Sequence, residues 1–220
     1  MPNERKWDAI LFDLDGTLTD SGEGIMNSTR YALRKMGVPV PSDEILRTFV
    51  GPPLTESFGK HCGMTEAEAE QTVRAYREYY ADRGIFENRV YDGVPEMLKS
   101  LADDGFRLIL ATSKPEHFAR QIMEHFHLDG YFFYIGGALT DGRRKEKAEV
   151  IAYVMETTGI DPARCLMIGD RLYDVEGAAE FGIPTVGVLW GYGSKEELER
   201  AGALYIAEHP EQIKEIIDHV

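Results

Sequence analysis

The stretch "AILFDLDGTLTD", residues 9–20, decides how the rest of the chain is read. Four apolar residues, Ala9 to Phe12, run into two aspartates one residue apart, Asp13 and Asp15, and then Gly16 and Thr17. A short, continuously apolar run fits a strand buried on both faces. Two like charges at the end of such a strand repel each other, and a fold gains nothing by placing them there. The pattern points to chemistry at a strand end.

Beyond this strand the expected alternation of strand and helix stops. Residues 23–82 read as helices: "EGIMNSTRYALRKMG", "PSDEILRTFVG" with a capping pair at Ser42 and Asp43, "LTESFGKHCG", and "TEAEAEQTVRAYREYYADRG", where Thr65 and Glu68 form a capping box. From Tyr91 alternation resumes. "FRLILAT", "YFFYIGG", "RCLMIGD", "PTVGVLW" and "LYIAE" read as strands, separated by helices of which the last is "PEQIKEIIDHV". The implied architecture is α/β: a doubly wound parallel sheet with an all-helical cap domain inserted after its first strand. The core is expected over residues 1–18 and 88–220, and the cap over 19–87.

Open parallel sheets place ligands beyond the carboxyl ends of their strands. Asp13 and Asp15 follow the first strand; Thr112, Ser113 and Lys114 follow "FRLILA"; Asp170 and Asp174 follow "RCLMIG". Several carboxylates at one edge need compensation, and oxygen ligands of this number suit Mg²⁺. A nucleophile, an acid and a hard cation together fit phosphoryl transfer, with Asp13 attacking phosphorus and Asp15 handling the proton of the leaving group and of water.

Composition narrows the partners. Thirty-eight acidic against twenty-four basic side chains give a formal charge of -14, which repels nucleic acid polymers and anionic membranes. A small phosphorylated metabolite is the expected partner, and the chain is expected to be a monomer or weak dimer. Cys62 and Cys165 are far apart and outside any CxxC spacing, as in a reducing cytoplasmic compartment. No window is long and apolar enough for a signal peptide or a membrane span.

On these motifs the chain resembles the haloacid dehalogenase-like hydrolases. "FDLDGTLTD" is similar to their first motif, "LILATSKP" to the second, "RRKEKAEVI" to the third and "MIGDRLYDVEGA" to the fourth. The resemblance implies a Rossmann-like hydrolase core. It makes Thr112 the hydroxyl that holds a phosphoryl oxygen and a third-motif lysine the cation beside the nucleophile. Asp13 and Asp170 would bind Mg²⁺ through side chains and Asp15 through its backbone carbonyl, with Asp174 as a further metal-associated carboxylate. Within the family, "FVGPPL", "DGVPEML" and "VLWGYGS" are most similar to the phosphoglycolate phosphatase-like branch, and to its 5'-nucleotidase-like members in particular. No proline follows a lysine in the third motif, and Arg171 and Tyr173 stand where Ser and Asn are usual; both departures favour the 5'-nucleotidase-like group.

Alternatives stay open for several residues. Lys145 and Lys147 compete as the third-motif lysine; Val150, Ile151 and Val154 follow Lys147 at core-facing spacing and favour it. Thr112 and Asp174 each have a helix cap as the alternative reading, with the catalytic role favoured for Thr112. Ser113 is expected to offer a backbone N–H to substrate, and Lys114 reads as the start of a helix. Arg47 and Gly51 of the cap are candidates for reading the substrate, or parts of a rigid turn before Pro52 and Pro53. A dehalogenase has no use for Asp15. A phosphosugar mutase shares both aspartates, and a non-catalytic phosphate-binding module would be expected to have lost a motif residue.

Overall fold

A computed structural model describes residues 5–141 and 143–219. Residues 1–4 of the expected core segment and Val220, the expected end of the last helix, lie outside the described residues. The chain divides into two compact units, one formed by the residues up to Thr19 with those from Val90 onward, the other by Asp20–Arg89.

The first unit is a six-stranded sheet. Its strands are β1 (Ala9–Phe12), β4 (Arg107–Pro115), β5 (Phe132–Ala138), β6 (Cys165–Gly169), β7 (Thr185–Val188) and β8 (Tyr205–Ala207), in the order β5-β4-β1-β6-β7-β8, and every pairing is parallel. The helices between them are α5 (Val94–Asp103), α6 (Glu116–His125), α7 (Lys147–Thr158), α8 (Leu172–Ala179), α9 (Lys195–Ala201) and α10 (Glu211–His219).

Period-two geometry explains the continuous apolar runs. Ala9 and Leu11 of β1, Ile109 and Ala111 of β4, and Cys165 and Met167 of β6 point to one face. There they join Val150, Ile151 and Val154 of α7 and Ala178 of α8 in one core cluster. The alternate residues Ile10, Phe12, Leu108, Leu110, Leu166 and Ile168 are fully buried as well, so both faces are covered. β1 lies between β4 and β6, with Phe12 opposite Leu110 on one side and Ile168 on the other. The chain first builds outward from β1 through β4 and β5, then returns to its other side. The strand carrying the two aspartates therefore stands at the reversal, where open α/β sheets hold their ligands.

The second unit is helical: α1 (Gly22–Lys35), α2 (Asp43–Arg47), α3 (Leu54–Cys62) and α4 (Glu66–Tyr79). The chain enters and leaves it through two short strands, β2 (Thr19–Asp20) and β3 (Arg89–Val90), which pair as a ribbon. The Thr65–Glu68 capping box forms, with the Thr65 backbone N–H donating to Glu68 Oε2 at 2.8 Å. The Ser42 cap does not: its side chain makes no capping bond, and Asp43 instead pairs with Arg30 at 2.6 Å. The last predicted cap helix changes character at Tyr80–Gly84, which form a π turn. Gly84 lies against α1 there, where a Cβ would crowd Gly24 O at 3.0 Å.

Candidate active site

At the carboxyl end of β1, the Asp13 N–H donates to Ile168 O at 3.0 Å, which continues the ladder one step past the strand. Its carboxylate is thereby aimed over the end of the sheet. Lys147, the first residue of α7, donates from Nζ to Asp13 Oδ1 at 2.8 Å and to Ala111 O at 2.9 Å. The same ammonium lies 2.8 Å from Asp174 Oδ1. Lys145 is exposed and pairs with Glu146. The structure therefore brings Lys147, and not Lys145, to the aspartates.

Asp170 follows β6 and is fully buried. Its Oδ2 accepts from the Tyr192 backbone N–H at 2.8 Å, and its Oδ1 from the Thr17 hydroxyl at 3.3 Å. Gly16, at φ 89°, makes room for this carboxylate, since a Cβ there would overlap it. Asp174 sits in the first turn of α8, where its Oδ2 accepts from the Arg171 N–H at 3.1 Å. It thus serves that helix N-terminus and faces Lys147 at once.

Asp13, Asp170 and Asp174 offer oxygens that all lie within 4.8 Å of one another. Burial, together with the Asp174 and Asp13 charges, raises Asp170 well above the usual carboxylate range. Asp174 is pushed up to about 6 by burial, with Lys147 pulling it down and Asp13 pushing it up. For Lys147, burial opposes the charge, and Asp13 and Asp174 more than offset it, so its pKa moves upward. One buried lysine leaves three carboxylates short of neutrality. Asp174 Oδ1 is buried against the Lys147 ammonium. Three mutually close carboxylates make an oxygen-only donor set that fits a hard divalent cation.

The remaining predicted residues divide. Asp15 lies beside this cluster, with its side chain outside the set of mutually close oxygens. It pairs with Lys114, whose Nζ donates to both of its carboxylate oxygens. Thr112 is buried near the end of β4, one residue past the Ala111 carbonyl that Lys147 holds, and its Oγ1 accepts from the Lys114 N–H at 3.2 Å. It does not cap α6, whose N-cap position is Pro115. Ser113 is half-buried on the same strand. Arg47 ends α2 and Gly51 occupies a positive-φ turn, both in the helical unit.

Three contributions were not anticipated: the Thr17 hydroxyl, the Tyr192 N–H and the Lys114 ammonium. The glycines flanking Tyr192 in "WGYG" were the one available sign of a backbone approach after β7.

A parallel sheet with a carboxylate–lysine cluster at its reversal defines a phosphoryl-transfer class of α/β enzyme. More narrowly, residues 10–188 match the haloacid dehalogenase-like hydrolase family, and the chain belongs to it. It is 46% identical to a 5'-nucleotidase of Pseudomonas aeruginosa over 189 residues, 86% of each chain. To the tyrosine-protein kinase PtkA of Mycobacterium tuberculosis it is 42% identical over 207 residues, 94% of this chain and 70% of that one. Among solved structures, a predicted phosphatase from Clostridium acetobutylicum superimposes with a TM-score of 0.93 at 46% identity, covering 97% of this chain and 99% of that one.

Proposed function

We propose that the protein is a Mg²⁺-dependent hydrolase of small phosphomonoesters, of the 5'-nucleotide type before phosphoglycolate, working through an aspartyl-phosphate on Asp13. The observation that carries this reading is the bridge from the Lys147 ammonium to Asp13 and Asp174 within a cluster that also holds Asp170. An Asp13 carboxylate oxygen attacks phosphorus. The ester P–O bond breaks, and Asp15 gives its proton to the departing alkoxide. Asp15 then takes a proton from water, the water oxygen attacks the phosphorus, and the bond to Asp13 breaks to release phosphate. Thr112 and the Ser113 backbone N–H hold phosphoryl oxygens, and Lys147 stands against the charge that gathers at Asp13. Asp13 and Asp170 side chains, the Asp15 carbonyl and Asp174 would hold Mg²⁺, which supplies the positive charge that phosphoryl oxygens need. The substrate preference rests on the relative named a 5'-nucleotidase and on the third-motif departures. Arg47 and Gly51 are the residues proposed to read the leaving group.

Phosphate release should be measured over a panel of nucleoside 5'-monophosphates, phosphoglycolate and sugar phosphates, with Mg²⁺ or with EDTA. Nucleotide-selective, Mg²⁺-dependent release that Asp13→Asn abolishes is the expected result. Release that survives EDTA or Asp13→Asn would sink the mechanism, and a phosphoglycolate optimum would sink the substrate assignment. The relative named a tyrosine-protein kinase favours one second reading, in which the phosphoryl group passes to an acceptor hydroxyl instead of water. Label recovered on an acceptor and not as free phosphate would select it.

A further inference from the structure

We propose that Lys114 is a positioning residue for Asp15, holding the proton-handling carboxylate in its working orientation; the inference rests on the acid–base reading of Asp15 above. The argument begins in the backbone. After a first shift between Leu108 and Ile109, β4 pairs with β5 in simple register from Ile109 opposite Tyr134 to Thr112 opposite Gly137, and then a second shift places Pro115 opposite Ala138. Two residues, Ser113 and Lys114, are accommodated against a single step of β5. Such an irregularity re-aims side chains, and strand ends beside active sites are where it recurs. Gly137 permits it: a Cβ there would lie 2.7 Å from both Lys114 O and Glu116 Cα.

The result is a lysine whose side chain is 5% exposed, with Nζ 2.9 Å from Asp15 Oδ1 and 2.7 Å from Oδ2. Ordering a lysine stem and burying its ammonium both oppose folding unless a partner compensates. The partner here is Asp15, the second aspartate of "DLD". Each aspartate of "DLD" thus has its own lysine, reached from a different strand–helix junction. Lys147 joins Asp13 to the carboxylate cluster, whereas Lys114 engages a side chain outside it. Contact with both oxygens fixes the plane of the Asp15 carboxylate; one oxygen leaves Lys114 to carry the proton that Asp15 later donates, while the other keeps the group in its defined position.

The test compares wild type, Lys114→Met and Lys114→Arg on an alkyl phosphomonoester and on p-nitrophenyl phosphate, with Mg²⁺ present. Aryl leaving groups need little protonation, so a misplaced Asp15 shows on the alkyl ester. We expect Lys114→Met to lower kcat on the alkyl ester by roughly 10–100-fold and on the aryl ester by no more than about threefold, with KM unchanged. Lys114→Arg should recover most of the loss, and Lys114→Met should add nothing in an Asp15→Asn background. Equal losses on both esters, a rise in KM alone, or additive effects in the double variant would overturn the proposal. Should the Met variant melt before assay temperature, Lys114→Gln replaces it, under the same criteria. Failure of the underlying reading looks different: Asp15→Asn would itself show no leaving-group selectivity. If Asp15→Asn is selective and the Lys114 variants behave as wild type, only the positioning role falls.

Discussion

Both units carry exposed lysine–carboxylate and arginine–carboxylate pairs, and the sheet unit also carries buried ones. In the helical unit they are open to water: Lys35 and Glu78 are each about half exposed, and Asp43, opposite Arg30, is 74% exposed. In the sheet unit, Lys147 and Asp174 are 4% and 1% exposed and share their space with Asp13 and Asp170. Water screens the first set, so each pair adds little to stability. The second set has given up hydration and depends on its own composition, since removing one member strands the others. Similar residues therefore furnish a soluble helix surface in one unit and a reactive cluster in the other, the distinction being burial.

Several substitutions would break or sharpen that contrast. The largest effect belongs to Asp13→Asn, which should lower kcat by roughly four orders of magnitude or more, the scale on which loss of a covalent nucleophile acts. Its melting temperature should stay near that of wild type, and turnover within tenfold of wild type would refute the nucleophile assignment. Lys147→Met should cripple activity and also destabilise the metal-free protein by about 3–5 kcal/mol in urea unfolding, because Asp13 and Asp174 lose their buried counter-charge. An unchanged unfolding midpoint would mean that the cluster is less dependent on its lysine than its burial implies.

Asp170→Asn separates function from stability. Without metal it should melt no lower than wild type, since it removes a desolvated carboxylate from beside two others. Mg²⁺ should raise the melting temperature of wild type and fail to raise that of the variant; equal stabilisation of both would remove Asp170 from the metal site. The smallest effect is expected in the helical unit. Thr65→Ala deletes one capping box from α4 and should cost about 1 kcal/mol of unfolding free energy. Its kcat on p-nitrophenyl phosphate should not change, and a tenfold loss would show that α4 does more than support its own unit.

What could be read in advance follows the range of the interactions. Alternating apolar runs and helix patterns are local, so the parallel sheet and the helical insertion were legible, as was the strand end bearing Asp13 and Asp15. The short ribbon of β2 and β3 was missed because two-residue strands carry no periodicity. Lys147 could be ranked above Lys145 because the apolar face of α7 sets which residue of its first turn points inward. Lys114 read as the start of a helix, since nothing near it in sequence announces a register shift or a partner 99 residues away. The Tyr192 N–H is a backbone group, and its bond to Asp170 depends on a loop path that side-chain chemistry does not encode.

The position of β1 in the sheet also bears on how the chain folds. Its neighbours are the strands beginning at Arg107 and Cys165, while the four helices of the other unit find their partners within Asp20–Arg89. Both partners of "AILF" lie far downstream of it in the chain, and unpaired apolar strands are sticky. The β2–β3 ribbon shortens the effective separation from β4. Once Asp20 meets Arg89, at 2.8 Å in the finished protein, the intervening helices act as a closed loop. The entropy of bringing β1 to β4 is then that of a much shorter chain. The insertion between β1 and β4 thus adds little to the loop entropy of pairing these two strands.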